Sequence, residues 1–253
     1  MSQKLAFLAS DSDLARDAYQ RLVQQYGSVD LDQADVIVAL GGDGFMLQTL
    51  HATQHLSAPV YGMNRGTVGF LMNAYQEDAL IERLATAEEA AINPLSMTAQ
   101  DVDGREYEAL AINEVSLLRA GPQAAKLKIW VDGRERMSEL VSDGVLLATP
   151  AGSTAYNYSA HGPILPIGSA VFAMTALNAY RPRRWRGALI PKASKVEFEV
   201  LDAKKRPVMA DADSRSFTNV ERVCVQSETG VMHRLLFDPG HGLDERLIRE
   251  QFV

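Results

Sequence analysis

Residues 34–47 read ADVIVALGGDGFML, and this stretch decides the fold. Residues 36–40 form a short apolar run, which is typical of a buried strand in a parallel sheet. From Phe45 onward the apolar residues recur at helical spacing. The pattern therefore predicts a strand, a tight glycine turn and a helix in immediate succession.

The glycine turn, residues 41–44, suits an anion. Glycines let the backbone approach a ligand closely, and the N–H groups and dipole at a helix N-terminus favour negative charge. Asp43 places a carboxylate in this turn, so it is expected to handle a proton or a metal. No Gly-Lys-Ser/Thr follows, which excludes a P-loop, and Leu47 stands where the dinucleotide fingerprint needs its third glycine. A plain turn with an aspartate helix cap is the alternative on these residues alone.

Composition sets the outer bounds. The chain has 253 residues, of which 47% are apolar, so it can form one large domain or two small ones with a sizeable core. A net charge of −7 argues against nucleic acid as the main partner. No apolar run reaches the ~20 residues of a membrane span, and the start of the chain lacks signal-peptide features. With only Cys224, an internal disulfide is excluded. These features predict a soluble, cytoplasmic protein without a membrane partner.

The N-terminal part alternates strands with helices. Strands are predicted at 4–9, 36–40 and 59–63, and helices at 11–25, from the glycine turn to about 55, and at 76–91. Such alternation predicts βαβ units, a parallel sheet and a ligand crevice at the carboxyl ends of its strands. A second Gly-rich loop, residues 64–69, is therefore expected at the same edge as the glycine turn.

Past Asn93-Pro94 the pattern changes to short β-rich segments. Strands are predicted at 95–102, 106–118, 126–131, 134–140, 144–148, 195–201, 208–210 and 222–226, with hairpin turns at 103–104 and 132–133. The predicted architecture is an α/β N-terminal domain with a parallel sheet, residues 1–94, and an all-β C-terminal sandwich domain, residues 95–235. The tail, residues 236–253, with a helix over 244–252, is expected to return to the first domain.

Two further polar clusters interrupt apolar sequence. Asn113 and Glu114 lie inside a β-rich run, so their side chains point to opposite faces. At least one of them enters a cleft, unless this strand is an exposed edge or a bulge. Residues 143–163 place hydroxyls, an amide and two tyrosines around a helix expected to open at Ala155 behind a Ser or Thr cap. This mixture suits the phosphates, riboses and rings of a nucleotide.

In order and spacing, the motifs at 41–44, 113–114 and 149–163 resemble those of the NAD kinase family, and the resemblance covers nearly the whole chain. In that family an α/β domain, similar to those of phosphofructokinases and diacylglycerol kinases, and an all-β domain enclose NAD. ATP phosphorylates the NAD to NADP. The resemblance implies the same fold, substrates and activity here.

The resemblance also implies roles for single residues. Asp43 would accept the proton of the 2′-hydroxyl of the adenosine ribose, and Gly44 would help to form its loop. The positions expected to contact nucleotide are His51, Asn113, Glu114, Asp143, Ala151, Thr154, Ala155, Tyr156, Asn157, Tyr158 and Ser159. Asp211 resembles the aspartate of an Asp-Gly-Gln motif, but Asp213 stands in place of the glutamine.

Phosphoryl transfer also needs charge neutralisation. No lysine accompanies the glycine turn, so Mg²⁺ or another divalent metal bound to ATP is expected to supply it together with backbone N–H groups. Family members assemble as dimers or tetramers, which implies a homo-oligomer here. The basic cluster at residues 181–186 is expected at a subunit interface, with phosphate binding or a solvated surface as alternatives.

Two other kinds of protein compete with this interpretation. Phosphofructokinases and lipid kinases such as diacylglycerol kinase carry similar loops, but residues 154–157 and the lack of a basic amphipathic helix argue against both. A module that senses NAD(H) or NADP(H) without turnover would use Asp43 only as a hydrogen-bond acceptor. The sequence does not decide whether the phosphoryl donor is ATP or polyphosphate, or whether NADH is accepted as a second substrate.

Overall fold

Strands and helices alternate over the first 92 residues of the computed structural model, which describes residues 3–66, 69–240, 242, 245, 246, 248 and 252. They are β1 (Leu5–Ala9), α1 (Asp13–Tyr26), β2 (Val36–Gly41), α2 (Asp43–Ala52), β3 (Val60–Asn64), α3 (Leu80–Thr86) and β4 (Glu88–Ile92). Ser12 caps α1, because its hydroxyl accepts the Ala15 N–H at 3.2 Å. Gly27 ends this helix at a positive φ of 74°.

The middle of the chain is almost entirely β. Its strands are β5 (Leu95–Asp101), β6 (Glu106–Ala111), β7 (Glu114–Arg119), β8 (Ala125–Val131), β9 (Arg134–Ser142), β10 (Gly144–Ala148), β11 (Val171–Leu177), β12 (Gly187–Pro191), β13 (Val196–Val200), β14 (Val208–Ala212), β15 (Arg215–Phe217) and β16 (Val220–Ser227). A 3-10 turn (Ala151–Thr154) and a one-turn helix, α4 (Tyr156–Ser159), lie between β10 and β11. The strand β17 (His233–Phe237) follows.

Two compact units result, one of Met1–Ile92 with Val231–Val253 and one of Asn93–Gly230. The first holds a five-stranded sheet in the order β1-β2-β3-β17-β4. Its first four strands run parallel, and β4 pairs antiparallel with β17. Gly41 and Asn64 are register partners at the carboxyl ends of β2 and β3, which confirms that the two Gly-rich loops begin at one edge.

Polar contacts hold β17 in this sheet in addition to its backbone pairing. The Tyr61 hydroxyl donates to Asp238 at 2.6 Å, and Arg83 forms an ion pair with the same carboxylate at 2.6 Å. The side-chain amide of Asn73 donates to the carbonyl of Leu236 at 3.0 Å. Burial, and after it the bond to Asp238, raises the pKa of Tyr61. The C-terminal end of β17 is therefore fixed by side chains from the same unit.

The second unit is a sandwich of two six-stranded antiparallel sheets. Their orders are β12-β11-β10-β7-β14-β15 and β6-β5-β16-β13-β8-β9. Strands such as β8 alternate buried and half-buried residues, and the inward side chains form the core between the sheets. The all-β prediction is confirmed, as are the hairpin turns at 103–104 and 132–133.

Several predictions need correction. The sheet of the first unit is mixed because β4 runs antiparallel. The helix predicted over 76–91 is Leu80–Thr86 only, since β17 offers Glu88–Ile92 a pairing partner from far along the chain. For the same reason residues 231–235 lie in the first unit rather than in the β domain.

The predicted strand at 106–118 is also wrong as a single element, because it breaks at Ile112 and Asn113 between β6 and β7. The helix predicted over 244–252 falls mostly on residues outside the described part of the chain. Within the described residues, no helix combines the length and the apolar character needed to cross a membrane.

Candidate active site

The glycine turn and the second Gly-rich loop meet at the edge of the first sheet. The Arg65 N–H donates to the carbonyl of Gly41 at 2.7 Å, so the two loops are joined directly after their strands. A Cβ on Gly66 would lie 3.7 Å from the Cα of Gly42, which shows how closely the two backbones pass. The two loops therefore run close together at this edge of the sheet.

Asp43, the first residue of α2, is held by this second loop. Its Oδ2 accepts the Phe70 N–H at 2.6 Å and its Oδ1 accepts the Leu71 N–H at 3.0 Å. A Cβ on Gly69 would lie only 2.2 Å from Oδ1, so a glycine is needed there for the close approach. The carboxylate is thus fixed in orientation at a helix N-terminus.

The carbonyl side of the same loop contacts Arg246. Its Nη1 lies 3.0 Å from the carbonyl of Phe70 and 2.5 Å from that of Met72, and its guanidinium stacks over Phe237 at 5.2 Å. Residues 69–72 therefore present N–H groups to Asp43 and carbonyls to Arg246. Nothing in the local sequence marks this arginine, because its partners lie about 175 residues earlier in the chain.

In the second unit, one outward face of a sheet carries acidic and hydroxyl groups. Register pairs Asp211 of β14 with Ser116 of β7, and Glu114 lies two residues along β7 on the same face. The neighbouring strands contribute an apolar floor of Leu146, Ala148 and Leu177. The opposite face of this sheet belongs to the core.

Two carboxylate oxygens on this face are buried and unbonded. Neither Oε2 of Glu114 nor Oδ1 of Asp211 has a hydrogen-bond partner among the residues described by the structure. Burial, and after it the charge of Asp213, raises the pKa of Glu114 to about 8, although the N–H of Tyr156 opposes the shift. A buried polar atom without a partner is costly, so these oxygens favour a ligand with hydrogen-bonding groups.

Residues 149–163 cover part of this face, and buried hydrogen bonds hold them there. The Thr149 hydroxyl donates to the carbonyl of Ile112 at 2.7 Å, and a Cβ on Gly152 would lie 2.1 Å from the carbonyl of Asn113. The Ser153 hydroxyl donates to the carbonyl of Pro150 at 2.6 Å. This segment is therefore seated directly on the break between β6 and β7.

Tyr156 and Tyr158 project outward from α4 and are exposed. The pKa of Tyr156 is raised first by partial burial of its hydroxyl, and then by the charges of Glu114, Asp211 and Asp143. The N–H of Tyr156 bonds to Glu114, so the start of α4 lies next to the acidic face. Asp143 is bonded to Asn178 at 2.8 Å and to Arg119 at 2.6 Å, and these two partners lower its pKa.

Comparison with known proteins identifies the family. Models of the ATP-NAD kinase N-terminal and C-terminal domains match residues 1–91 and 112–228. The NAD kinase of Cereibacter sphaeroides is 66% identical over 251 residues, 99% of either chain. That of Caulobacter vibrioides is 55% identical over 249 residues, 98% of this chain and 96% of the relative. This chain belongs to the ATP-NAD kinase family.

Solved structures agree with the family in fold. Yeast NADH kinase complexed with NADH matches with a TM-score of 0.84 at 20% identity, over 99% of this chain and 87% of that one. An NAD kinase from Archaeoglobus fulgidus in complex with ATP matches with a TM-score of 0.74 at 25% identity, over 98% and 97%.

Within this NAD kinase fold, three predicted ligand residues occupy other surroundings. Asn157 is fully buried, and its amide bonds to Ser153, Pro163 and Thr175 use its donors and acceptor internally. Ala151 is also buried. His51 lies in the last turn of α2, about 12 Å from Asp43 along the helix axis, with its ring 6.2 Å from that of His233.

The remaining predicted positions stay predictions, with a defined place in the fold. Glu114, Asp143 and Tyr156 lie around the acidic face, whereas Thr154 and Ala155 are half-buried and Ser159 is exposed. Gly44 is the second residue of α2, and a Cβ there would meet no described atom within 4 Å. The predicted Ser or Thr cap is wrong, since Ala155 precedes α4 and no side chain caps it.

Proposed function

We propose that this chain transfers the γ-phosphoryl group of ATP to the 2′-hydroxyl of the adenosine ribose of NAD. The ribose oxygen forms a bond to the γ-phosphorus while the bond from that phosphorus to the β,γ-bridging oxygen breaks. ADP leaves, and NADP is the product. The observation that carries this proposal is Asp43, a carboxylate fixed by two backbone N–H groups within a glycine turn at a helix N-terminus.

Asp43 serves as acceptor of the hydroxyl proton in this proposal. Each of its oxygens accepts one backbone N–H, and a carboxylate oxygen has a second lone pair that can accept a proton or a hydroxyl. A positioned base of this kind contributes typically ~10²–10⁴-fold to the rate. The fixed orientation reduces the motion needed to reach the reacting geometry.

The triphosphate is proposed to lie against backbone N–H groups of the two Gly-rich loops. No group of three or more potential metal ligands occurs among the described residues, so no step is assigned to a protein-held metal. Mg²⁺ or another divalent ion is written as part of the ATP substrate. Bound to the phosphates, it supplies the charge neutralisation that phosphoryl transfer needs.

The dinucleotide is proposed to bind through the second unit. Asn113, Glu114, Asp143 and Tyr156 would contact it, and Thr154, Ala155, Tyr158 and Ser159 would line the same site. The unbonded oxygens of Glu114 and Asp211 support this assignment, because NAD offers hydroxyls and amide N–H groups that can donate to a carboxylate.

We further propose a cytoplasmic homo-oligomer, a dimer or a tetramer, with neither nucleic acid nor membrane as partner. The proposed contact surface is the exposed arginines of residues 181–186. Trp185, in the same segment, is half-buried against the sandwich core and holds these arginines in place. Light scattering during size-exclusion chromatography gives the oligomer size, and a monomer at micromolar concentration contradicts this part.

The test of the activity is NADP formation from NAD, ATP and Mg²⁺. The product is measured with an NADP-dependent dehydrogenase that does not accept NAD phosphorylated at any other hydroxyl. We expect equal amounts of ADP and NADP, and loss of turnover with EDTA that excess Mg²⁺ restores. Parallel reactions replace ATP by polyphosphate and NAD by NADH. NAD binding without any turnover would contradict the proposal and favour a sensing module.

A further inference from the structure

Asp213 lies in the turn between β14 and β15 and bonds to the backbone beside the acidic face. Its Oδ2 accepts the Ile112 N–H at 2.7 Å, and its Oδ1 accepts those of Asn113 at 2.9 Å and Glu114 at 3.3 Å. The Asp213 N–H in turn donates to the carbonyl of Glu114 at 3.2 Å. One side chain thus bonds to three consecutive peptide groups.

The carbonyl side of the same residues is bound as well. The Thr149 N–H donates to the carbonyl of Asn113 at 2.9 Å, and the Thr149 hydroxyl donates to that of Ile112 at 2.7 Å. The break between β6 and β7 is consequently held from two directions. Without Asp213, these three N–H groups would lack their carboxylate partner.

Residue type matters at this position. Its φ is 49°, in the left-handed region that aspartate and asparagine tolerate better than other residues with a Cβ. A carboxylate offers two acceptor oxygens, whereas an amide offers one and would turn an NH₂ group toward the N–H of Ile112. Asparagine therefore keeps the backbone conformation but loses the charge and part of the bonding.

We propose that Asp213 is a positioning residue for the dinucleotide: its carboxylate holds the backbone of residues 112–114 so that Asn113 and Glu114 present their side chains to NAD. The inference rests on the proposed function, because it assumes that this pair contacts NAD. Asp213 acts only through the pair and does not itself touch the substrate.

The same arrangement sets the charge of Glu114. The titratable groups around Glu114 are Asp213 on the turn, Asp211 on β14 and Tyr156 on α4, and Asp143 acts on Tyr156. Burial first and then the charge of Asp213 raise the pKa of Glu114 to about 8. Removing the charge at position 213 therefore lowers this pKa.

The experiment compares Asp213→Asn and Asp213→Ala with Asp132→Asn as matched control. Asp132 also lies in a hairpin turn of this unit at a φ of 53°, and its carboxylate accepts the Lys195 N–H at 2.9 Å, but it holds no predicted ligand residue. The affinity for NAD by calorimetry, kcat, the KM values for NAD and ATP, and the melting temperature are measured for each.

We expect Asp213→Ala to raise the Kd and KM for NAD about tenfold and Asp213→Asn to raise them less, with the KM for ATP unchanged. The midpoint of the pH dependence of NAD affinity should move to lower pH in Asp213→Asn. Asp132→Asn should change neither. A loss of melting temperature in Asp213→Asn with wild-type NAD affinity and pH profile overturns the inference, whereas a wild-type chain that binds NAD without turnover overturns the proposed function alone.

Discussion

The acidic groups of the two units are built in opposite ways. Both oxygens of Asp43 are bonded to backbone N–H groups, and the loop that supplies them is itself bonded to Arg246. Glu114 and Asp211 each keep one buried oxygen without a partner among the described residues. A carboxylate that acts on a proton benefits from a fixed orientation, whereas one that recognises a ligand must leave its bonding capacity for that ligand. This difference is consistent with the proposed function, which assigns proton transfer to the first unit and ligand recognition to the second.

The largest expected effect is on Asp43 itself. Asp43→Asn should lower kcat by at least ~10²-fold, because the amide cannot accept the hydroxyl proton. The control is Asp35→Asn in the same unit, where an exposed carboxylate accepts the Lys4 N–H at 2.8 Å away from the glycine turn. Steady-state assays measure kcat for both variants, and Asp35→Asn should keep the wild-type value. An unchanged rate in Asp43→Asn removes Asp43 from the mechanism.

Asp43→Asn also weakens the loop, because its NH₂ group would face a backbone N–H, so a second variant must separate base from anchor. Gly69→Ala keeps the carboxylate but places a Cβ 2.2 Å from Oδ1. We expect this displacement to lower kcat by about tenfold, clearly less than Asp43→Asn does, and to leave the pH profile of kcat unchanged. If Gly69→Ala reaches the full loss of Asp43→Asn, then loop geometry rather than proton transfer explains the effect.

The opposite design of Glu114 predicts a pH-dependent stability. Its folded-state pKa is raised from 4.5 to about 8, so the unfolded chain loses its proton first as pH rises. Ionising Glu114 in the folded chain therefore lowers the free energy of unfolding. This loss is absent below about pH 4.5, grows between pH 4.5 and 8, and levels off above about pH 8. Glu114→Gln removes this cost, and its advantage in the free energy of unfolding should approach roughly 4–5 kcal/mol at pH 8.5. Urea denaturation at pH 4.5 and 8.5 measures it, and equal differences at the two pH values contradict it.

The smallest effect concerns the outer contact of the Asp43 loop. Arg246→Ala removes the bonds to the carbonyls of Phe70 and Met72. We expect this to raise the activation free energy by about 1 kcal/mol and so to lower kcat several-fold. Glu245→Ala, at the exposed neighbouring position, is the control. A variant with wild-type kcat would show that Asp43 alone orients residues 69–72.

Local sequence was sufficient for elements whose signals lie within a few residues. The strand and glycine turn before Asp43, the hairpins at 103–104 and 132–133, and the change from α/β to all-β sequence all follow from periodicity and turn chemistry. Local sequence failed at Glu88–Ile92, where a helical pattern forms a strand because β17 pairs with it. Local sequence also could not show that Asn157 is fully buried, because a buried amide and an exposed one look alike in a sequence.

The sequence alone thus determined the two kinds of architecture and the motifs of the ATP-NAD kinase family, since these depend on short-range spacing and residue type. Only the tertiary structure decided how the acids are held: Phe70 and Leu71 on Asp43, Arg246 behind them, and Asp213 on the backbone of residues 112–114. Those contacts join residues about 30 to 175 positions apart. Their energies come from burial and hydrogen-bond geometry, which exist only once the strands have paired.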